Sequence, residues 1–90
     1  MKIYAVCGAG IGTSVLLKSN ADRALQALGI EAEVHAVSIS QAMSADSDAQ
    51  VVMITPELTE QIKGIRSEVI VVNNIFDLAE LQEKLEASLG

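Results

Sequence analysis

Lys2-Ile3-Tyr4-Ala5-Val6-Cys7-Gly8-Ala9-Gly10-Ile11-Gly12-Thr13-Ser14 is the stretch on which the reading of this chain turns. Lys2 to Val6 is apolar and β-prone, and reads as a strand. It stops at Cys7, after which Gly8, Gly10 and Gly12 alternate with Ala9 and Ile11. From Thr13 the period changes. Leu17, Ala21, Ala24, Leu25 and Leu28 fall at the i, i+4, i+7, i+8, i+11 spacing of one helix face. Gly29 follows and suits the left-handed position after a helix. A strand that passes through a glycine turn into a helix is the opening unit of an alternating α/β chain.

The rest of the sequence continues the alternation. Glu31 to Ala36 places Ala32, Val34 and Ala36 on one side, as a half-exposed edge strand does. Ser38 to Asp48 is small and polar, with Ile39 and Met43 one turn apart, and allows a short helix. Val51-Val52-Met53-Ile54 is an unbroken apolar run, expected of a strand buried on both faces. Thr55-Pro56 ends it, and Pro56 suits the first position of a helix running to Lys63 with Gly64 as its stop. Glu68 to Val72 reads as a fourth strand closed by Asn73-Asn74. Asp77 followed by Glu80 resembles a capping box, and Leu78, Leu81, Leu85 and Leu89 stripe one face of a last helix. This order predicts a four-stranded parallel sheet, order 2-1-3-4, with right-handed crossovers and helices on both faces.

Composition bounds the function. The chain has 90 residues, half of them hydrophobic, which is room for one domain spanning 1–90. Six Lys plus Arg against twelve Asp plus Glu leave a net charge of −6. That argues against nucleic acid as a partner and against a polybasic membrane anchor. Tyr4 and Phe76 are the aromatic residues, too few for a base-stacking platform. A lone Cys7 cannot form an internal disulfide. The apolar run at the start is too short for a signal peptide, and no run reaches the length of a membrane span. A cytoplasmic protein with one free thiol is expected.

The chemistry concentrates at Cys7 to Ser14. In an open α/β sheet, ligands bind outside the carboxyl ends of the strands, where the strand order reverses. In the 2-1-3-4 order that point lies beside Cys7. Bare glycine backbone lets N–H groups converge on an anion, and a helix N-terminus adds partial positive charge. Thr13 and Ser14 add hydroxyl groups. Gly8, Ala9, Gly10, Ile11, Gly12, Thr13 and Ser14 therefore form a candidate phosphate cradle with the Cys7 thiol at its rim. The same dipoles are expected to favour the thiolate. A nucleophile beside a phosphate cradle points to phosphoryl transfer through a phosphocysteine. No cofactor or metal is called for.

The loop admits other readings. Cys7 could be packing and the glycines a tight turn. Gly8-x-Gly10 imitates a dinucleotide fingerprint, but Thr13 stands where the third glycine belongs. A phosphate loop of the Walker type needs a lysine that Gly12-Thr13 lacks. A low-molecular-weight cysteine phosphatase or arsenate reductase has an arginine six positions after its cysteine. Here that position is Thr13, and Arg23 lies about 15 Å further along the helix. Without a guanidinium the bidentate hold on a phosphoryl group is missing, so hydrolysis is disfavoured while transfer stays open.

At Ala5 to Ser14 the chain resembles the IIB components of the bacterial sugar phosphotransferase system, most closely the galactitol and ascorbate type within the lactose/cellobiose-like superfamily. The resemblance implies a Rossmann-like sheet, similar to that of low-molecular-weight tyrosine phosphatases. It implies a phosphocarrier in which a IIA protein donates phosphoryl from a phosphohistidine to Cys7. Phospho-Cys7 then passes it to a sugar, sugar acid or polyol held by a membrane IIC protein. The absent arginine suits a carrier, which must release its phosphoryl group and keep water from attacking it.

Other residues carry less. His35, on the edge strand, reads as a surface histidine. Thr55, Asn73 and Asn74 end strands on the same side as Cys7, and either line the cradle or cap turns. Glu80, Glu83 and Glu86 read as a solvated face. Val15 falls opposite the apolar sector of the first helix and Ile11 precedes it. These two either pack under the loop after the third strand or form an apolar docking rim beside Cys7.

Overall fold

The two periods in the sequence become alternating strands and helices. A computed structural model describes residues 1–8, 11–44, 48–62, 64, 65 and 67–89. Strand β1 (Lys2–Val6) leads to helix α1 (Ile11–Leu28), then β2 (Glu33–Ala36), α2 (Ile39–Ala42) and β3 (Val51–Ile54). A 3₁₀ turn (Pro56–Leu58), β4 (Glu68–Val71) and α3 (Leu78–Leu89) follow. The sheet is parallel in the order β2-β1-β3-β4, as the alternation predicts. Strand β1 is interior: Ile3 stands beside Val34 on one side and Val51 on the other.

Strand side chains alternate between faces, and the two faces bury different partners. On one face Ile3, Ala5, Val34, Val51, Met53 and Ile70 pack against Leu17, Ala21, Ala24 and Leu25 of α1 and Leu81 and Leu85 of α3. Each fully buried leucine here contributes roughly 1.5–3 kcal/mol relative to an exposed one. On the other face Val6, Val52 and Ile54 meet Val37, Ala42, Leu58 and Ile62. Crossovers of one hand require this division. The chain steps from β1 out to β2 through α1, then returns past β1 to β3 and β4, so the return segments must lie on the opposite face.

That second face is covered more thinly than the sequence suggests. The segment expected to be a helix from Pro56 to Lys63 is a 3₁₀ turn ending at Leu58, followed by turns; Lys63 itself lies outside the described residues. Three residues are enough to bury Leu58, and Ile62 is buried in the turns beyond it. Helix α2 is one turn, started by a capping box. Ser38 Oγ accepts from Gln41 N–H at 3.3 Å, and Gln41 Oε1 accepts from Ser38 N–H at 3.0 Å. Strand β2 begins at Glu33, two residues later than the alternation indicates. The left-handed residue after α1 is Gly29, at φ 72°.

The last helix shows a further departure. Asp77 Oδ1 caps α3 by accepting from Glu80 N–H at 3.1 Å, as expected. The Glu80 side chain does not close the box on Asp77. It accepts instead from the N–H groups of Asn73 at 2.8 Å and Asn74 at 2.9 Å, and pairs with Lys84 Nζ at 2.6 Å. Lys84 Nζ also donates to the carbonyl of Val71. The pair therefore fastens the end of β4 to α3, and Glu80 is not part of a merely solvated face.

Desolvation pushes the Glu80 pKa up, but the hydrogen bonds from Lys84, Asn73 and Asn74, with the Lys84 charge, outweigh it and hold the value at about 2. A carboxylate depressed below its ordinary 4.5 adds stability above that pH and loses it as pH falls towards 2. Glu80→Gln is expected to cost about 1–3 kcal/mol at neutral pH. Its urea-unfolding stability should also fall less steeply than wild type between those two pH values. Parallel pH profiles for the two proteins would remove the clamp from the stability of the fold.

Candidate functional site

Strand β1 is where the order reverses, with β2 to one side and β3 to the other. Connections leaving it diverge and open a crevice at its carboxyl end. Cys7 sits there, 7% exposed. The crevice is a cleft of about 290 Å³ floored by Cys7, Gly8 and Ser14. Val37, Ser38 and Ile39 form one wall, and Leu58 and Gln61 the other. The thinly covered face thus supplies both walls of the cleft, which short segments leave open.

The loop is anchored from within. Cys7 N–H donates to Ser14 Oγ at 3.0 Å, and Ser14 is 1% exposed. Because α1 begins at Ile11, Gly12, Thr13 and Ser14 belong to its first turn and not to the loop before it. Ser14 therefore reaches back from the helix to the end of the strand. Of the other cradle candidates, Gly8 and Gly12 are exposed and Thr13 is half-buried. A Cβ built on Gly12 would have no atom of the other described residues within 4 Å. The side chain of Ile11, and all of Ala9 and Gly10, lie outside the described residues.

The thiol itself departs from expectation. Burial pushes the Cys7 pKa up, a hydrogen bond with Ser14 works against it, and the negative charge of Glu57 adds to the rise. The expectation of a resting thiolate is therefore corrected. The sulfur lies in the floor of a cleft, where loss of hydration disfavours its charged form.

Glu57 is a site neighbour that the sequence pattern does not single out. It follows Pro56 in the 3₁₀ turn, and its side chain lies over Gly8. A methyl group built on Gly8 would come within 2.5 Å of Glu57 Cγ and 2.8 Å of Oε1. Thr55, one of the two-sided candidates, resolves towards the site: its Oγ1 accepts from Gly8 N–H at 3.1 Å. Asn73 and Asn74 resolve as turn residues. Both amides are held by Glu80, and Asn74 Oδ1 accepts from Phe76 N–H at 3.0 Å. The only local signal for Glu57 is its place three residues after the end of β3.

Val15, next to Ser14 in α1, is 48% exposed, which argues against the reading that packs it beneath the loop after β3. Leu16, which the helix pattern did not single out, is 47% exposed beside it, and Phe76 is 66% exposed in the loop before α3. Asn20, one turn after Leu16 on the same helix face, donates from Nδ2 to the carbonyl of Ile75 at 2.8 Å. That bond brings the Leu16 side of α1 towards the loop carrying Phe76. His35 is half-exposed on edge strand β2, with Glu33 Oε2 3.9 Å from its Nε2. Among the described residues, no cluster of three or more His, Cys, Asp or Glu could hold a metal ion. Nor is any helix among them long and apolar enough to cross a membrane.

Three comparisons with known proteins bear on the family and the fold. Residues 2–87 match the family "PTS system, Lactose/Cellobiose specific IIB subunit". The chain is 29% identical over 90 residues to the ascorbate-specific PTS system EIIB component of Mycoplasma pneumoniae, covering 99% of this chain and 95% of that one. Its fold is similar to the lactose-specific IIB component domain of the phosphoenolpyruvate:carbohydrate phosphotransferase system from Streptococcus pneumoniae. The TM-score is 0.67 at 13% identity, covering 99% of this chain and 94% of that one. With nearly the whole chain matched, it belongs to the lactose/cellobiose-type IIB family of the sugar phosphotransferase system, whose members are phosphotransferases that work with IIA and IIC partners.

Proposed function

We propose that Cys7 is the phosphoryl acceptor of this IIB protein and hands the group to a carbohydrate bound by a membrane IIC partner. The observation that carries this reading is the position of the chain's one thiol, in the floor of a cleft at the end of β1 and beside the first turn of α1. In the first step the sulfur attacks phosphorus of a phosphohistidine on IIA. The P–S bond forms as the P–N bond breaks, and the thiol proton ends on the imidazole nitrogen that loses the phosphoryl group. In the second step a substrate hydroxyl attacks phosphorus, the P–S bond breaks and sulfur keeps the electron pair. The hydroxyl proton passes to a base or to solvent.

Ile11, Gly12 and Thr13 contribute first-turn amides and the positive end of the α1 dipole to an oxygen on the transferred group. Ser14 holds the strand end against that turn, and the empty space beside Gly12 leaves room for an anion. Gly8, Ala9 and Gly10 complete the cradle by backbone. A protonated resting thiol suits a carrier that meets its donor only briefly, because deprotonation then accompanies transfer. The name of the Mycoplasma pneumoniae relative favours a sugar acid of the ascorbate type as the acceptor. The phosphatase reading has less support: Thr13 occupies the arginine position, and Arg23 is exposed further along α1. The protein acts in the cytoplasm as one domain over residues 1–90.

Incubation with a phosphorylated IIA partner is expected to add one phosphoryl group to Cys7, and Cys7→Ser is expected to abolish both labelling and transfer to substrate. Intact-protein and peptide mass spectrometry check this. Label on His35, no label at all, or steady hydrolysis of aryl phosphates by the unmodified protein would overturn the assignment.

IIA and IIC must reach the same sulfur in turn, so one rim of the cleft serves both. Val15 and Leu16, exposed directly after Ser14 in α1, offer apolar anchors of the kind that carry small transient interfaces. Val15→Asp and Leu16→Asp should each slow transfer from IIA about tenfold or more, the loss expected for an anchor worth over 1 kcal/mol. The melting temperature by circular dichroism should stay nearly unchanged. Unaltered transfer in both variants would place docking elsewhere on the molecule.

A further inference from the structure

A carboxylate beside a cradle for a phosphoryl anion calls for a reason. Glu57 is held there by its own turn. Pro56 fixes φ at the start, Leu58 N–H donates to the Thr55 carbonyl at 3.0 Å, and the Leu58 side chain is buried in the second core face. Thr59 donates to the Pro56 carbonyl from N–H at 3.1 Å and from Oγ1 at 2.7 Å. Thr55 Oγ1 meanwhile receives Gly8 N–H. The turn and the cysteine loop are therefore joined, and Glu57 projects from the joint across the face of Gly8. Gly8 lacks positive φ, so its missing side chain reflects the space that Glu57 fills and not an unusual backbone.

We propose that Glu57 is an electrostatic gate on Cys7: its carboxylate, held against Gly8 by the 3₁₀ turn, opposes negative charge on the sulfur and on a phosphoryl group attached to it. Between transfers the gate adds to burial in keeping the thiol uncharged and poorly reactive towards electrophiles. After transfer it disfavours the phosphocysteine and so raises its tendency to give the group away. Like charges a few ångströms apart at a partly sheltered site interact more strongly than in bulk water. Among the described residues, the other polar groups lining the cleft at Cys7 are uncharged: Ser14 from α1, Ser38 from the β2–α2 connection and Gln61 after the 3₁₀ turn. Glu57 acts through Cys7, which makes it a positioning residue. The part of this inference concerning phosphocysteine rests on the proposed phosphoryl-carrier role; the part concerning the thiol does not.

The test is the pH dependence of Cys7 alkylation by iodoacetamide, measured on the full chain. Glu57→Gln is expected to move the profile to lower pH and to raise the neutral-pH rate about threefold or more, since thiolate fraction scales with the shift in pKa. The difference from wild type should narrow in 1 M salt, where charges are screened within about 3 Å. Glu57→Asp should restore much of the wild-type profile. Gly8→Ala, which must push the Glu57 side chain aside without removing its charge, should fall between. Superimposable profiles for wild type and Glu57→Gln, or a shift to higher pH in the variant, overturn the gate. Glu57 is exposed, so its replacement leaves the core intact. A second arm measures the phosphorylated fraction at equilibrium with the IIA donor, which should rise in Glu57→Gln. If wild-type Cys7 takes no phosphoryl group, the carrier reading fails while alkylation still decides the gate.

Discussion

The buried hydrogen bond from Cys7 N–H to Ser14 Oγ joins the end of the central strand to the first turn of the longest helix. Strand and helix would otherwise be linked through a loop rich in glycine, whose backbone is costly to order. With that bond in place, the amide end of α1 and the sulfur of Cys7 share one side of the sheet. The packing below depends on the same junction, because Leu17 and Ala21 enter the core within two turns of Ser14. A buried N–H without a partner costs more than a satisfied one contributes, so the serine hydroxyl meets a structural demand before any chemical one.

Unequal covering of the two sheet faces gives the molecule both a firm side and a working side. Helices α1 and α3 shield one face with long apolar stripes. The opposite face has one turn of α2 and a 3₁₀ turn, which contribute one buried side chain each, Ala42 and Leu58. Short segments cannot roof the strand ends, and the cleft at Cys7 opens between them. The same economy brings Thr55 and Glu57 to the cysteine loop. A full helix from Pro56 would have carried residue 57 through the geometry of an α-helical first turn instead.

Two glutamates illustrate how tertiary surroundings assign opposite tasks to one side chain. Glu80 has a lysine and two backbone amides around it, and its charge is held on to low pH as a clamp between β4 and α3. Glu57 has a glycine and a buried thiol beside it, and its charge acts outwards on Cys7. Neither role follows from residue type. Each follows from whether donors converge on the carboxylate or the carboxylate converges on another group.

Much of the architecture is legible in local sequence, because burial imposes periods that survive in composition. The Val51–Ile54 run, the Leu17-to-Leu28 stripe and the Leu81/Leu85 pair each report the face they bury, and together they specify the parallel 2-1-3-4 sheet. The strand-end cysteine among glycines marks the candidate site for the same reason: chain reversal and strand order are properties of the pattern. What the pattern could not decide depends on residues far apart in sequence. Ser14 reads from the sequence as a hydroxyl of the anion cradle, and the structure turns it back onto the Cys7 amide. The Cys7 thiol was expected to favour its charged form, and burial together with Glu57, fifty positions away, reversed that. Glu80 looked like a partner for its own helix cap, whereas β4 supplied better donors. Periodicity is a one-dimensional record of which side chains avoid water, and it was determined by the sequence alone. Electrostatic environment and hydrogen-bond partnership depend on distances between segments, and only the tertiary structure decided them.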